Sequence, residues 1–201
     1  MSSTNQTTKV ATGKVRLSFV SIFNPSSING GDEKYSVTLI IPKDDKETLR
    51  KIKSAVDAAK ETGKSKKWGG KIPSKLELPL HDGDEEKDLE RYPEFANHYY
   101  INAKSTNKPD IGKPVGKGAD GKTKLQEITD SNEVYSGCYA RVSLNFYPFD
   151  IKGNKGVAAG LNSVIKVQDG EFLGGRSSMQ DDFADEDFDD YLADDEDDFM
   201  S

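Results

Sequence analysis

The residues best suited to chemistry lie in residues 133–150, EVYSGCYARVSLNFYPFD, where Tyr139, Arg141, Ser143, Asn145 and Tyr147 alternate with Cys138, Ala140, Val142, Leu144 and Phe146. Successive side chains of a strand point to opposite faces, so the apolar set marks a core and the other five share one surface. Two phenol rings, a guanidinium and an amide make a surface that suits unpaired nucleotides. The rings stack on bases, Arg141 holds phosphate and Asn145 meets base or sugar edges. A second layer over this face would instead make the tyrosines core residues.

Two further stretches have the same character. Residues 64–71, KSKKWGGK, set Lys66, Lys67 and Lys71 around Trp68, so ammonium groups able to hold phosphates flank a ring able to stack. The same indole could plug the end of a helix, since tryptophan is usually mostly buried. In residues 98–104, HYYINAK, Tyr100, Asn102 and Lys104 fall on one face, opposed to Tyr99, Ile101 and Ala103.

Residues 76–90, LELPLHDGDEEKDLE, gather His81, Asp82, Asp84, Glu85 and Glu86. Hard cations take oxygen ligands, so a metal-dependent nuclease built on Asp82, Asp84 and Glu86 is the alternative function. The spacing is not that of a calcium loop, and acids after Asp-Gly are common in exposed turns. A structural loop is therefore preferred and no metal ligand is assigned. No nucleophile elbow, GxGxxG or GxxxxGK[ST] loop occurs, and His81 and His98 lack the spacing of a helical metal pair. The expectation is a protein that is not an enzyme and carries no cofactor.

Alternation predicts five strands to position these residues, starting near Lys14, Lys34, His98, Val134 and Gly156. In the first, Val15, Leu17, Phe19 and Ser21 share one face. Arg16 lies on the other, where it joins the candidate phosphate contacts. Asp44, with Glu47 three residues later, predicts a helix N-cap; Leu49, Ile52, Val56 and Ala59 supply an apolar stripe, and Gly63 a stop. Residues 108–124 are rich in Gly and Lys and predict a mobile basic loop. The fold class is all-β, a five-stranded barrel elaborated with one α-helix and long loops.

Charge divides the chain. Residues 181–201, DDFADEDFDDYLADDEDDFMS, hold 12 of the 35 acidic residues and no Lys or Arg. Residues 1–180 keep 28 basic against 23 acidic, so the charges are −12 and +5. A run of like charges this dense predicts a disordered arm. Phe183, Phe188, Tyr191 and Phe199 stand among its carboxylates as anchors for a partner surface. The division expected is a disordered N-terminus (1–13), a folded domain (14–175) and a disordered acidic tail (176–201). One cysteine, Cys138, excludes an intramolecular disulfide framework. With no apolar run of membrane-spanning length and a polar start, a cytoplasmic protein without a membrane partner is expected.

The stretches NPSSINGGDEKYSVTLIIPK from Asn24, LPLHDGDEEK from Leu78, YINAKSTNKP from Tyr100, YSGCYARVSLNFYPFD from Tyr135 and GVAAGLNSVIKVQDGEFLGG from Gly156, in that order, resemble a bacteriophage single-stranded DNA-binding family. The family was formerly known as a domain of unknown function. The resemblance implies an OB-fold-type barrel, sequence-independent binding of single-stranded DNA in phage replication, recombination or repair, and an acidic tail. Such a tail competes with DNA and contacts replication or recombination proteins; a homodimer is allowed. This chain ends Phe-Met-Ser, where tails of bacterial and phage single-strand binders end near an aromatic residue. The DNA-contacting set expected from the faces is Arg16, Lys66, Lys67, Trp68, Lys71, Tyr100, Lys104, Tyr139, Arg141, Asn145 and Tyr147.

Overall fold

The computed structural model describes residues 7–27 and 30–173. Its strands are β1 (Lys9–Ala11), β2 (Val15–Ser26), β3 (Lys34–Pro42), β4 (Leu80–Asp82), β5 (His98–Ser105), β6 (Asp110–Lys117), β7 (Thr123–Glu127), β8 (Tyr139–Ile151) and β9 (Asn154–Gln168). The helices are α1 (Lys46–Lys66), one turn α2 (Gly83–Glu86) and a 3₁₀ turn at Pro93–Phe95.

Strands β2, β3, β5, β9 and β8 pair in that order, and β8 returns to β2, so the sheet closes into a five-stranded ring. Only β5 with β9 is parallel among these five pairings. This is the OB arrangement, and it is built from the five strands expected. Closure works because the alternating apolar sets all point inward: Val15, Leu17, Val37, Leu39, Ile101, Ala103, Val142, Leu144 and Leu161 fill one core. Helix α1 contributes Ile52, Ala55, Val56 and Ala59 to that same core. The hairpin β6–β7 extends β9 beyond the ring, and β4 pairs with β5.

Several local expectations are corrected. Residues 9–11, expected to be disordered with the rest of 1–13, form β1 against β8, because Val10 is buried and Thr12 exchanges hydrogen bonds with Val142. The cap of α1 is Asp45, whose carboxylate accepts from the Thr48 amide, rather than Asp44. Gly63 does not stop the helix; it is the small residue against which the Trp68 ring lies. Residues 110–127 form a β-hairpin, not an irregular loop. The strand expected from Val134 begins at Tyr139, after Gly137 turns the chain with φ 114°. In β2 the register shifts between Ser18 and Ser21, which turns Phe19 outward instead of inward with Leu17. Past β9, residues 169–173 run as a strap across β2 and the β8 approach: Arg16 donates to Glu171 O (2.8 Å) and the Leu173 amide to Ser136 O (2.8 Å). Phe183, Phe188, Tyr191 and Phe199 lie outside the described residues.

Candidate nucleic-acid interface

Residues directly paired across a sheet present their side chains on one face, so the strand registers trace the outer surface of the barrel. Ser18 pairs with Thr38, and Thr38 with Asn102, where the Thr38 hydroxyl donates to Asn102 Oδ1 at 2.7 Å. One step along, Ser21 pairs with Ser36, Ser36 with Lys104, Lys104 with Gly160, Gly160 with Asn145, and Asn145 with Lys9. Tyr147 pairs with Ala158, and a Cβ built on Gly160 would lie 3.5 Å from its ring. The result is a band of short, polar side chains along β2, β3 and β5, with Asn102 and Lys104 exposed and Ser18 and Thr38 buried in its floor. It passes over the small residues Ala158 and Gly160 to the half-exposed Tyr147 ring. Lysines line it: Lys34 and Lys104 share one recess with Ser26, Asp32 and Ser36, and Lys9 stands exposed at the far edge. Small side chains let a polymer backbone come close, and flanking ammonium groups attract its phosphates.

Of the expected contact set, this band unites Lys104, Asn145 and Tyr147. Tyr147 keeps 44 % of its surface exposed, and Asn145 Oδ1 accepts from the Thr8 hydroxyl. Lys66, Lys67 and Lys71 are exposed at the end of α1, where Gly63 and Trp68 pack on Pro148 and Phe149, and nothing in the sheet register joins them to the band. Lys9 and Lys34 belong to the band and were missed, Lys9 because a three-residue strand shows no period in the sequence.

Five expectations change. Trp68 is 6 % exposed, its indole N–H donating to Phe149 O at 3.1 Å; it plugs the end of the helix and does not stack. Tyr100 is also 6 % exposed. It does face outward with Asn102 and Lys104, but residues 81–95 cover it: Phe95 meets its ring edge-on at 5.2 Å and His81 of β4 stacks at 5.1 Å. Burial, then the neighbouring Glu86, push the Tyr100 phenol up. Arg16 spends its guanidinium on Gly137 O and Glu171 O, so it fastens the strap rather than holding phosphate. Tyr139 is half-buried beside it, with Lys14 and Arg16 over the ring at 5.3 and 5.7 Å. Arg141 is exposed but lies elsewhere, donating to Thr12 O and facing Pro114 and Leu125 of the hairpin.

The carboxylate cluster is built as a staple. Lys43 Nζ lies 2.7 Å from both Asp82 and Asp84, Asp82 caps α2 through the Asp84 amide, and Asp84 accepts from the Asn97 amide. The hydrogen bonds that Lys43 donates to Asp82 and then to Asp84 hold its ammonium well above the usual range, and Lys43 draws the Asp84 carboxyl down. Glu86 is engaged with His81 at 2.8 Å. These oxygens therefore face their own chain's cations and donors, and among the described residues no three His, Cys, Asp or Glu converge as a metal site. Burial pushes the Cys138 thiol up, which keeps it unreactive. No helix of the described residues is long and apolar enough to cross a membrane.

Comparisons with known proteins place the fold. A protein of Acyrthosiphon pisum secondary endosymbiont phage 1, p50, is 29 % identical over 188 residues, covering 88 % of this chain and 93 % of that one. The single-stranded DNA-binding protein from bacteriophage Enc34, solved in complex with ssDNA, superposes with a TM-score of 0.63 at 28 % identity. The match covers 83 % of this chain and 88 % of the other. In fold, gp2.5, a single-stranded DNA-binding protein encoded by bacteriophage T7, is similar with a TM-score of 0.53 at 17 % identity, over 89 % and 94 % of the two chains. Residues 8–199 match the family model described as Enterobacter phage Enc34, ssDNA-binding protein, and the chain belongs to that family.

Proposed function

We propose that this protein binds single-stranded DNA without sequence preference and acts in phage DNA replication, recombination or repair. The observation that carries the reading is the continuous outer band, in which Lys104 and Lys34 flank a floor of Ser36, Thr38 and Asn102 that leads over Gly160 to Tyr147. Family membership and the likeness to a protein solved on ssDNA support it. Such binding is electrostatic along the backbone and stacking at the bases, neither of which reads sequence. Lysines, short polar side chains and an exposed ring suit covering DNA.

The tail belongs to the same reading. Residues 181–201, at −12, compete with DNA for the basic surface and, once displaced, present Phe183, Phe188, Tyr191 and Phe199 to replication or recombination proteins. Fluorescence anisotropy of labelled oligo-dT with the full chain, in magnesium and again in chelator, tests both function classes. Saturable binding to intact oligonucleotide in both buffers is expected. Cleavage that needs magnesium would restore the nuclease alternative.

A further inference from the structure

We propose that the cleft between Phe19, Tyr92 and Phe172 is a socket for one unpaired nucleobase at the end of the band, an inference that rests on the single-strand reading and gives it a specific stacking site. Three non-glycine residues have positive φ among the described residues: Phe19 at 48°, Asn97 and Lys152. The last two sit in turns, whereas Phe19 lies within β2. Positive φ disfavours a bulky residue, and a strained position survives when its surroundings or its use hold it there. Here the strain does not serve the core, because it turns the Phe19 ring out to 50 % exposure.

The ring is backed on one side and open on the other. Tyr92 meets it edge-on at 5.8 Å, and Lys87 Nζ stands 5.6 Å from it. The open side gives onto a cleft of about 470 Å³ shared with Ser18, Arg91, Glu94 and Phe172. Ser18, itself buried, lines the cleft and is the first member of the Ser18, Thr38, Asn102 row, so the cleft lies at the β2 end of the band. Arg91 lies over the Tyr92 ring at 5.3 Å, is exposed, and forms no ion pair among the described residues, which leaves its guanidinium for a phosphate at the mouth. The Glu94 carboxylate repels phosphate, so the base is the part that enters. Phe172, 60 % exposed, belongs to the strap that leads toward the acidic residues, so one wall of the socket is the root of the tail.

Phe19→Gly separates stacking from folding, because glycine adopts this φ without strain. The test titrates wild type, Phe19→Gly, Phe19→Trp and Phe172→Ala with an oligo-dT carrying one 2-aminopurine, and melts each variant. Wild type and Phe19→Trp should bind and quench the probe. Phe19→Gly should melt no lower than wild type yet bind roughly 5- to 150-fold more weakly with little quenching, the fold-change of one lost stack. Phe172→Ala, which disturbs no strand, should lose quenching too. Full affinity and quenching in both Phe19→Gly and Phe172→Ala would overturn the socket alone. If wild type binds no oligo-dT, the single-strand reading falls and the socket with it.

Discussion

At the scale of single residues, aromatic rings divide into those that hold the fold and those left for a ligand, and burial decides which. Trp68→Ala should cost about 3–5 kcal/mol of stability, since it empties a buried site and orphans Phe149 O, while leaving affinity unchanged below the new melting point. Tyr147→Ala should do the reverse, losing roughly 1–3 kcal/mol of oligo-dT binding with the melt unchanged. Thermal melts and anisotropy on both variants check the pair, and a binding defect in folded Trp68→Ala would return the indole to the interface. The period-2 pattern of the sequence placed Tyr100 and Tyr147 correctly on outer faces. What it could not show is that Leu89, Tyr92 and Phe95, spaced without helix or strand period, fold back over Tyr100. Nor does alternation announce a bulge, so Phe19 read as a core residue.

At the scale of elements, the fold is tightest where α1, β8 and the 83–97 segment are fastened down. Glycine within a helix ordinarily invites replacement, because alanine there gains about 1 kcal/mol. At Gly63 the sign reverses: a Cβ would lie 2.6 Å from two Trp68 ring carbons and 2.8 Å from Pro148 Cβ. Gly63→Ala should therefore lower the melting temperature, and a rise would mean that Trp68 moves freely. The sequence marked this glycine as a helix stop because propensity reports the backbone alone, not the ring laid on it. The Lys43 staple gives a pH prediction. Asp84 has a lowered folded pKa, so its contribution is present above the ordinary carboxylate pKa near 4 and is lost as pH falls through the folded value. Protection of the Asn97 amide, which Asp84 accepts, should be constant from about pH 5 to 8 and fall in acid. In Lys43→Met it should be reduced at all these pH values. Equal protection in the variant would show that the packing of Phe95 alone holds the segment.

At the scale of the whole molecule, the net charge of −7 hides two opposed segments, and the proposed competition between tail and DNA rests on their separation. A chain ending at residue 180 should bind oligo-dT more tightly than the full chain, because the body's +5 then meets phosphates without the −12 segment as a rival. The advantage should shrink between about 0.05 and 0.5 M salt, as the Debye length falls below the spacing of surface charges. Two alternatives give different signatures in the same titration. A tail that serves only solubility leaves the two curves coincident at every salt concentration. A tail that docks through its rings instead of its charges keeps the difference at high salt, where apolar burial persists and Coulomb attraction does not. Which signature appears also bears on the strap. Arg16 and Ser136 hold residues 171–173 beside the Phe19 cleft, so the tail leaves the folded body at the edge of the proposed interface. A segment tethered there has a high effective concentration over that surface, so a shorter truncation that keeps the acids of residues 181–190 should release less binding than the chain ending at residue 180.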